Sequence, residues 1–216
     1  LNAIDANEHV VIYSDYDADG IPGAVLFASF LKKIGYTNYS HYIPDRHEEG
    51  FGVNESAIDE ILNMGTGAEH KKLMITIDCG IADVVAIEKA QKLGIDVILT
   101  DHHLPGEVLP PAFAIVNPKV SDEKSGKVYP YNMLCGSGVI FKFVQGVLAT
   151  RSFEEKGMKP GHEKWLLDMV GIGTLSDMVP LTGENRIFAH YGLAVLRKSP
   201  RIGLRKLLSK QRINQM

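Results

Sequence analysis

Cysteine is scarce in this chain: Cys79 and Cys135 are the two among 216 residues. Two thiols in apolar surroundings cannot build a disulfide framework, and they read as reduced, packed side chains of a cytoplasmic protein. Long apolar runs are missing too. None approaches the ~18 residues needed to cross a bilayer, so no membrane association is expected. The first residues, LNAIDANEHVVIYSD, lack the basic, apolar and small-residue blocks of a secretion leader. They also lack an initiating Met, which fits a segment of a longer protein. Positive charge is not in excess: 23 Lys and Arg against 26 Asp and Glu leave a formal net charge of −3. That disfavours gripping nucleic acid by bulk charge alone. It does not exclude a nuclease, because bound cations would neutralise part of the acidic complement. No internal repeat, low-complexity segment or obvious aromatic-and-basic stacking surface is visible.

What is present is the composition of a soluble globular domain, 45% hydrophobic and 23% charged. The first half alternates β-branched runs with helical patterns. Strands are expected at His9–Ser14, Tyr39–Ile43, Leu73–Ile77, Asp96–Thr100 and Ala114–Val116. Helices are expected over Ile21–Lys33, from the N-cap residue Asn54, and over Asp83–Leu93. This alternation predicts an α/β fold, a parallel sheet flanked by helices. The second half predicts a helical C-terminal layer: Ser137–Leu148, Glu163–Leu175, Asn185–Arg197 and Gly203–Leu208. A loop over Asn117–Tyr131, carrying Lys119, Lys124 and Lys127, marks the change. A polar stretch over Thr150–His162 reads as a surface connection. The sheet part is thus expected over about 1–117 and the helical part over about 132–216.

The acids fall in a telling place. Asp15, Asp17 and Asp19 follow the first strand in SDYDADG, Asp78 follows LMITI, and Asp101, His102 and His103 follow DVILT. In an open parallel sheet the carboxyl ends of the strands share one edge, where ligands bind. Like charges at that density repel unless cations lie among them. Carboxylates suit Mg²⁺ or Mn²⁺, and imidazole widens the choice towards Mn²⁺. Four or more such groups can hold two ions, the usual arrangement for hydrolysing phosphate esters. Singly, each piece has a plainer reading. DYDADG could be a turn, Asp78 a helix cap, and DHH a capped helix start with exposed imidazoles. A calcium loop fails: the twelfth residue counted from Asp15 is Leu26, and a strand precedes the motif.

Taken in order, DYDADG, IDCG, TDHH and GTLSDMVPLTGENR resemble the four motifs of the DHH phosphoesterases. The intervening IPDRHEEGFGVN, VNPK and GSGVIFK are similar to the RecJ branch, and the likeness runs from about Val10 to Leu208. The resemblance implies a DHH catalytic core holding two divalent cations, Mn²⁺ in preference to Mg²⁺. Asp15 would hold the first ion and Asp17 the second, with Asp78 bridging them. His102 and Asp177 would complete the second site. Asp101 would orient an imidazole, and His103 would face the substrate phosphate or leaving group. Asp19 either contacts an ion through water or caps the following helix. Arg46 and Arg186 are either phosphate clamps or partners of Glu48, Glu49 and Glu184. Gly136, Ser137 and Gly138 open a helix that could receive a phosphate on its N–H groups, or the glycines serve close packing.

Two departures accompany the likeness. Many DHH relatives have His or Asn just before the first motif, where this chain has Tyr13 and Ser14, so the first ion would have fewer protein ligands. The second domain with a Gly-Gly-His motif, usual in the family, is not found in these 216 residues. The implied activity is a 5′→3′ single-stranded DNA exonuclease of repair and recombination. Direction and DNA preference rest on the resemblance alone, with no basis in composition. Single-strand-binding or repair proteins would be its partners. The alternatives are a phosphoesterase for small substrates (short oligoribonucleotides, 3′-phosphoadenosine phosphate or cyclic dinucleotides) and a non-catalytic DHH-fold scaffold.

Overall fold

The computed structural model describes residues 1–65, 71–122 and 125–211; Lys124 of the expected loop lies outside them. Five strands form the sheet: β1 (His9–Ser14), β2 (Tyr39–Tyr42), β3 (Lys72–Ile77), β4 (Ile95–Thr100) and β5 (Ala114–Val116). They lie in the order β2-β1-β3-β4-β5, and every pairing is parallel. β1 is buried at all six positions, as a central strand covered on both faces must be. Its side chains alternate between two cores. Val10 and Ile12 join Ile75 and Ile77 on one face, while Val11 and Tyr13 join Met74 and Val97 on the other.

Helix α1 (Asn2–Asp5) is a single turn ahead of β1. The first core is covered by α2 (Gly20–Lys33), which follows β1, and by α5 (Gly136–Thr150) and α6 (Leu167–Ser176) of the second half. The second core is covered by α3 (Glu55–Leu62) and α4 (Val84–Lys92). Asn54 caps α3 as expected, its Oδ1 accepting the Ala57 N–H at 2.9 Å. Two more helices close the chain, α7 (Gly183–Leu196) and α8 (Ile202–Lys210). α6 and α7 touch backbone to backbone: a Cβ on Gly171 would lie 2.8 Å from the Gly192 Cα.

Two expectations need adjustment. The helix expected over Glu163–Leu175 starts as a 3-10 turn, His162–Leu166, and becomes α-helical only at Leu167. The stretch Thr150–His162 is not merely a surface connection. It holds a 3-10 turn (Glu154–Lys156) and a bridge between Phe153 and Met158, both of which are buried in the first core. Tyr36 is buried, Tyr39 packs against the first core, and Tyr42 stacks on Tyr13 with ring centroids 5.3 Å apart. Both cysteines are free and buried, and burial pushes each thiol up. Among the described residues no helix is long and apolar enough to cross a membrane.

A buried polar knot ties the second half together. Asp168, 1% exposed, accepts the Ser199 hydroxyl at 2.7 Å, the Met169 N–H at 2.8 Å and the Arg201 guanidinium at 2.8 and 3.2 Å. Removing one partner of a buried pair leaves the other charge uncompensated. Asp168→Ala is therefore expected to lose roughly 3 kcal/mol in urea unfolding, the low end for buried pairs because Arg201 keeps some solvent contact. A loss below about 1 kcal/mol would show that the pair contributes only as an exposed bridge does.

Candidate metal centre

The strand order places the crevice. A sheet of order 2-1-3-4-5 reverses direction between β1 and β3, and the loops leaving those two strands diverge there. Asp15–Asp19 follow β1 and Asp78 follows β3, so the acids stand on either side of that opening. The DHH triplet follows β4, and Asp177 arrives from the end of α6. Four separate elements therefore converge on one spot.

Asp78 lies at the centre. It is 2% exposed and its backbone has φ +66°, the left-handed region that a non-glycine residue enters only when its surroundings hold it there. Its Oδ1 lies 3.1 Å from His102 Nε2 yet accepts no hydrogen bond among the described residues, leaving a buried oxygen without a partner there. Burial first, then the charges of Asp19 and Asp17, push the Asp78 carboxyl up to about 10. Burial likewise raises Asp15 and Asp177. Such a group fits a cation: it would satisfy the orphaned oxygen and let neighbouring carboxylates ionise together.

Three sets of potential ligand atoms each lie within 4.8 Å of one another: Asp15, Asp17 and Asp78; Asp19, His102 and Asp177; and Asp78, His102 and His103. Asp78 belongs to two of the three, as a bridging residue would. His102 also belongs to two, and its Nδ1 stands 3.9 Å from Asp177 Oδ2. Asp17, expected at the second ion, groups with Asp15 instead, whereas Asp19 stands within direct reach of His102 and Asp177.

The caps around the centre differ from expectation. Asp17 Oδ1, not Asp19, caps α2 by accepting the N–H groups of Asp19 and Gly20 at 2.8 Å each. Asp19 instead caps α5 across the molecule, accepting the Gly136 and Ser137 N–H groups. This corrects the phosphate reading of Ser137. Its N–H is taken by Asp19 at 2.9 Å, its hydroxyl lies against Cys135, and the residue is fully buried. Gly136 serves close approach, since a Cβ there would sit 2.5 Å from Asp78.

Asp101 orients His103. Its Oδ1 lies 2.8 Å from His103 Nδ1 and accepts the backbone N–H groups of His102 and His103, while Oδ2 takes the Ile81 N–H at 3.0 Å. Burial alone would raise this carboxyl, but the bonds from His103 and Ile81 outweigh it and hold Asp101 below the ordinary range. In return Asp101 raises the His103 imidazole. The loop after β5 supports the pair. Asn117 donates to the His103 carbonyl at 3.0 Å, and the Lys119 ammonium donates to the His102 carbonyl. These two supports were legible only as part of VNPK, with nothing to show what they hold.

Arg46 pairs with neither Glu48 nor Glu49 among the described residues; it lies over the Tyr16 ring, 5.1 Å from the centroid. Tyr16 also meets the exposed Phe51, so an aromatic and cationic surface adjoins the acids. Arg186 is exposed, and Glu184 pairs instead with Lys142 at 3.0 Å. Tyr13 is turned into the second core, its hydroxyl donating to the Gly52 carbonyl at 2.8 Å, so it replaces no ligand. Ser14 is buried with its hydroxyl unpartnered.

Comparison with known proteins agrees with this architecture. Residues 9–174 match the profile described as DHH family, N-terminal domain. The single-stranded-DNA-specific exonuclease RecJ of Bacillus subtilis (strain 168) is 42% identical over 206 residues, 95% of this chain and 24% of the relative. RecJ of Thermus thermophilus is 33% identical over 205 residues, 95% of this chain and 28% of the relative. The chain thus spans about a quarter of these relatives' length. A crystal structure of exonuclease RecJ bound to manganese superposes with a TM-score of 0.79 at 30% identity, covering 100% of this chain and 50% of that one. With the profile spanning both strand-end acids and the DHH triplet, the chain belongs to the DHH family.

Proposed function

We propose that this domain is the catalytic core of a metal-dependent phosphodiesterase that removes nucleotides from the 5′ end of single-stranded DNA. The observation that carries the chemistry is the buried, unpartnered Asp78 oxygen among acids and imidazoles delivered by four elements. The substrate is supported by the RecJ relatives, named as single-stranded-DNA-specific exonucleases, and Mn²⁺ by the manganese in the related structure. The direction is supported by the likeness of the motifs to the RecJ branch.

One ion would be held by Asp15, Asp17 and Asp78, and a second by His102 and Asp177 with Asp19 beside them, Asp78 lying between. Bound there, Mn²⁺ or Mg²⁺ would lower the pKa of water and offset charge developing on the phosphodiester. The chain's own residues supply the rest. Asp101 fixes the His103 ring through Nδ1 and favours its protonated form, so Nε2 can donate to a phosphate or leaving oxygen. Arg46, over the Tyr16 ring, would meet a phosphate approaching the acids. That Asp15, Asp17, Asp78, His102 and Asp177 all fall within groups able to hold a cation supports an enzyme over a scaffold without chemistry.

The test is digestion of a 5′-labelled single-stranded DNA oligomer with Mn²⁺, beside short RNA and small nucleotides. Release of labelled mononucleotide from the DNA is expected, and EDTA should stop it. Turnover of only the small substrates would reassign the chain to small-molecule phosphoesterases. No turnover of any of them, with metal bound, would favour the scaffold.

A further inference from the structure

A second charged feature lies away from the acids. At the opposite end of α2 from Asp19, about 20 Å along a 14-residue helix, opens a cavity of about 830 Å³. Lys32 and Lys33 enter it from α2, Lys156 from the 3-10 turn, and Lys198 from the turn after α7. Trp165 lies on its wall, 54% exposed and the chain's single tryptophan. Among the described residues one carboxylate, Asp168, lines the cavity, and it is already taken by Ser199 and Arg201.

None of the four lysines forms an ion pair among the described residues, whereas Lys71, Lys89, Lys92 and Lys142 each do. In a chain of net charge −3 this is a local excess of the opposite sign. The carbonyl end of α2 accounts for Lys32 and Lys33. It accounts for neither Lys156, which comes from another element, nor a large aromatic left open to water. Unpaired cations beside an exposed indole are the two components of a surface that tracks a phosphate backbone and stacks a base.

We propose that this groove is a remote anchor for the single strand whose end is processed at the metal centre, with the lysines on its phosphates and Trp165 under a base. The idea rests on the reading that the substrate is a single-stranded nucleic acid. An acidic peptide would use the same charges but has no base to stack on Trp165, so nucleic acid is the occupant the indole favours.

The tryptophan reports directly on the groove. The 216-residue chain in EDTA, titrated with a thymidine oligomer of about 20 nucleotides, is expected to show quenched indole emission. Four phosphate contacts at ~0.7 each give a slope of log affinity on log salt near −3. Lys32→Ala with Lys156→Ala should weaken half-saturation about tenfold and flatten the slope by about 1.4, with melting temperature unchanged because both side chains are exposed. Asp78→Asn should quench like the wild type. Inorganic polyphosphate, lacking bases, should displace the oligomer only at roughly tenfold higher phosphate concentration, given about 1–3 kcal/mol per stacked base. Absent quenching, quenching indifferent to the lysines, equal potency of polyphosphate, or quenching by polyglutamate instead of the oligomer would each overturn the proposal. Because no turnover occurs in EDTA, a chain that hydrolyses DNA with Mn²⁺ but shows no quenching keeps the proposed function and loses the groove.

Discussion

Asp78→Asn should abolish hydrolysis while raising the melting temperature of the metal-free protein. Both effects follow from one placement. Asp78 is 2% exposed, faces Asp17, Asp19 and His102, and leaves an oxygen unpartnered. Asn is nearly the same size, tolerates the left-handed backbone at φ +66°, and is neutral at every pH without having to hold a proton. Without metal, burial and the neighbouring acids hold the wild-type carboxyl up to about 10, against 3.8 in an unfolded chain. Between those values the folded protein keeps a proton that the unfolded chain has released, so its contribution to stability falls as pH rises. Asn removes that dependence. The melting temperature of the variant minus that of the wild type, both in EDTA, should therefore grow from about pH 5 to about pH 8, reaching several degrees. With Mn²⁺ the order reverses: the wild type gains about 2.7 kcal/mol at a metal concentration roughly 100 times its dissociation constant, and the variant gains little. Losing several kcal/mol of charge stabilisation corresponds to a rate loss on the order of 10³-fold. A variant that still hydrolyses, or a wild type whose melting temperature ignores Mn²⁺, would remove Asp78 from the centre.

How much of this was legible depended on whether the signal was local. The β1, β3 and β4 runs are β-branched and flanked by polar turns, so their positions and their burial could be read directly. Their spatial order could not. Parallel alternation is compatible with several orders, and only the order β2-β1-β3-β4-β5 puts DYDADG and Asp78 on either side of one opening. The acids themselves were visible as residues following strands, but their division of labour was not. Asp17 and Asp19 stand two apart in one loop, yet Asp17 bonds its own helix and Asp19 reaches α5, more than a hundred residues away. Phe153 and Met158 were hidden for a different reason. Each is an isolated apolar residue in a polar stretch, with no period to mark it, and only the bridge between them turns both inward. Of the two readings of Arg186, the pairing with Glu184 is not made among the described residues: two positions apart on α7 they do not face each other, and Glu184 meets Lys142.

The two glycines of GSGVIFK should respond oppositely to the same change. A Cβ on Gly136 would lie 2.5 Å from both the Asp78 Cβ and its Oδ1, a separation that side chains do not tolerate. The obstacle is not the loose end of a flexible chain, because Asp78 is walled in and its backbone already sits in a demanding conformation. Gly136→Ala must therefore shift Asp78, or draw the start of α5 away from Asp19, whose carboxylate accepts the Gly136 and Ser137 N–H groups. Either movement disturbs ligands without altering one chemically. Misplacement of about 1 Å costs on the order of 10²-fold in rate, and overpacking adds ~1–3 kcal/mol of instability. Gly138 is two residues on and faces elsewhere. A Cβ there meets Leu134 and Cys135 at 3.6 and 3.7 Å, ordinary contact distances. With that room, Gly138→Ala should gain about 0.5–1 kcal/mol from reduced unfolded-chain entropy and leave the rate unchanged. Mn²⁺ titrations beside hydrolysis rates separate the two: Gly136→Ala should lose affinity and rate together, and Gly138→Ala neither. Wild-type metal affinity in Gly136→Ala would mean that α5 yields without moving Asp78, and that the opening of α5 does not set the position of the Asp78 carboxylate.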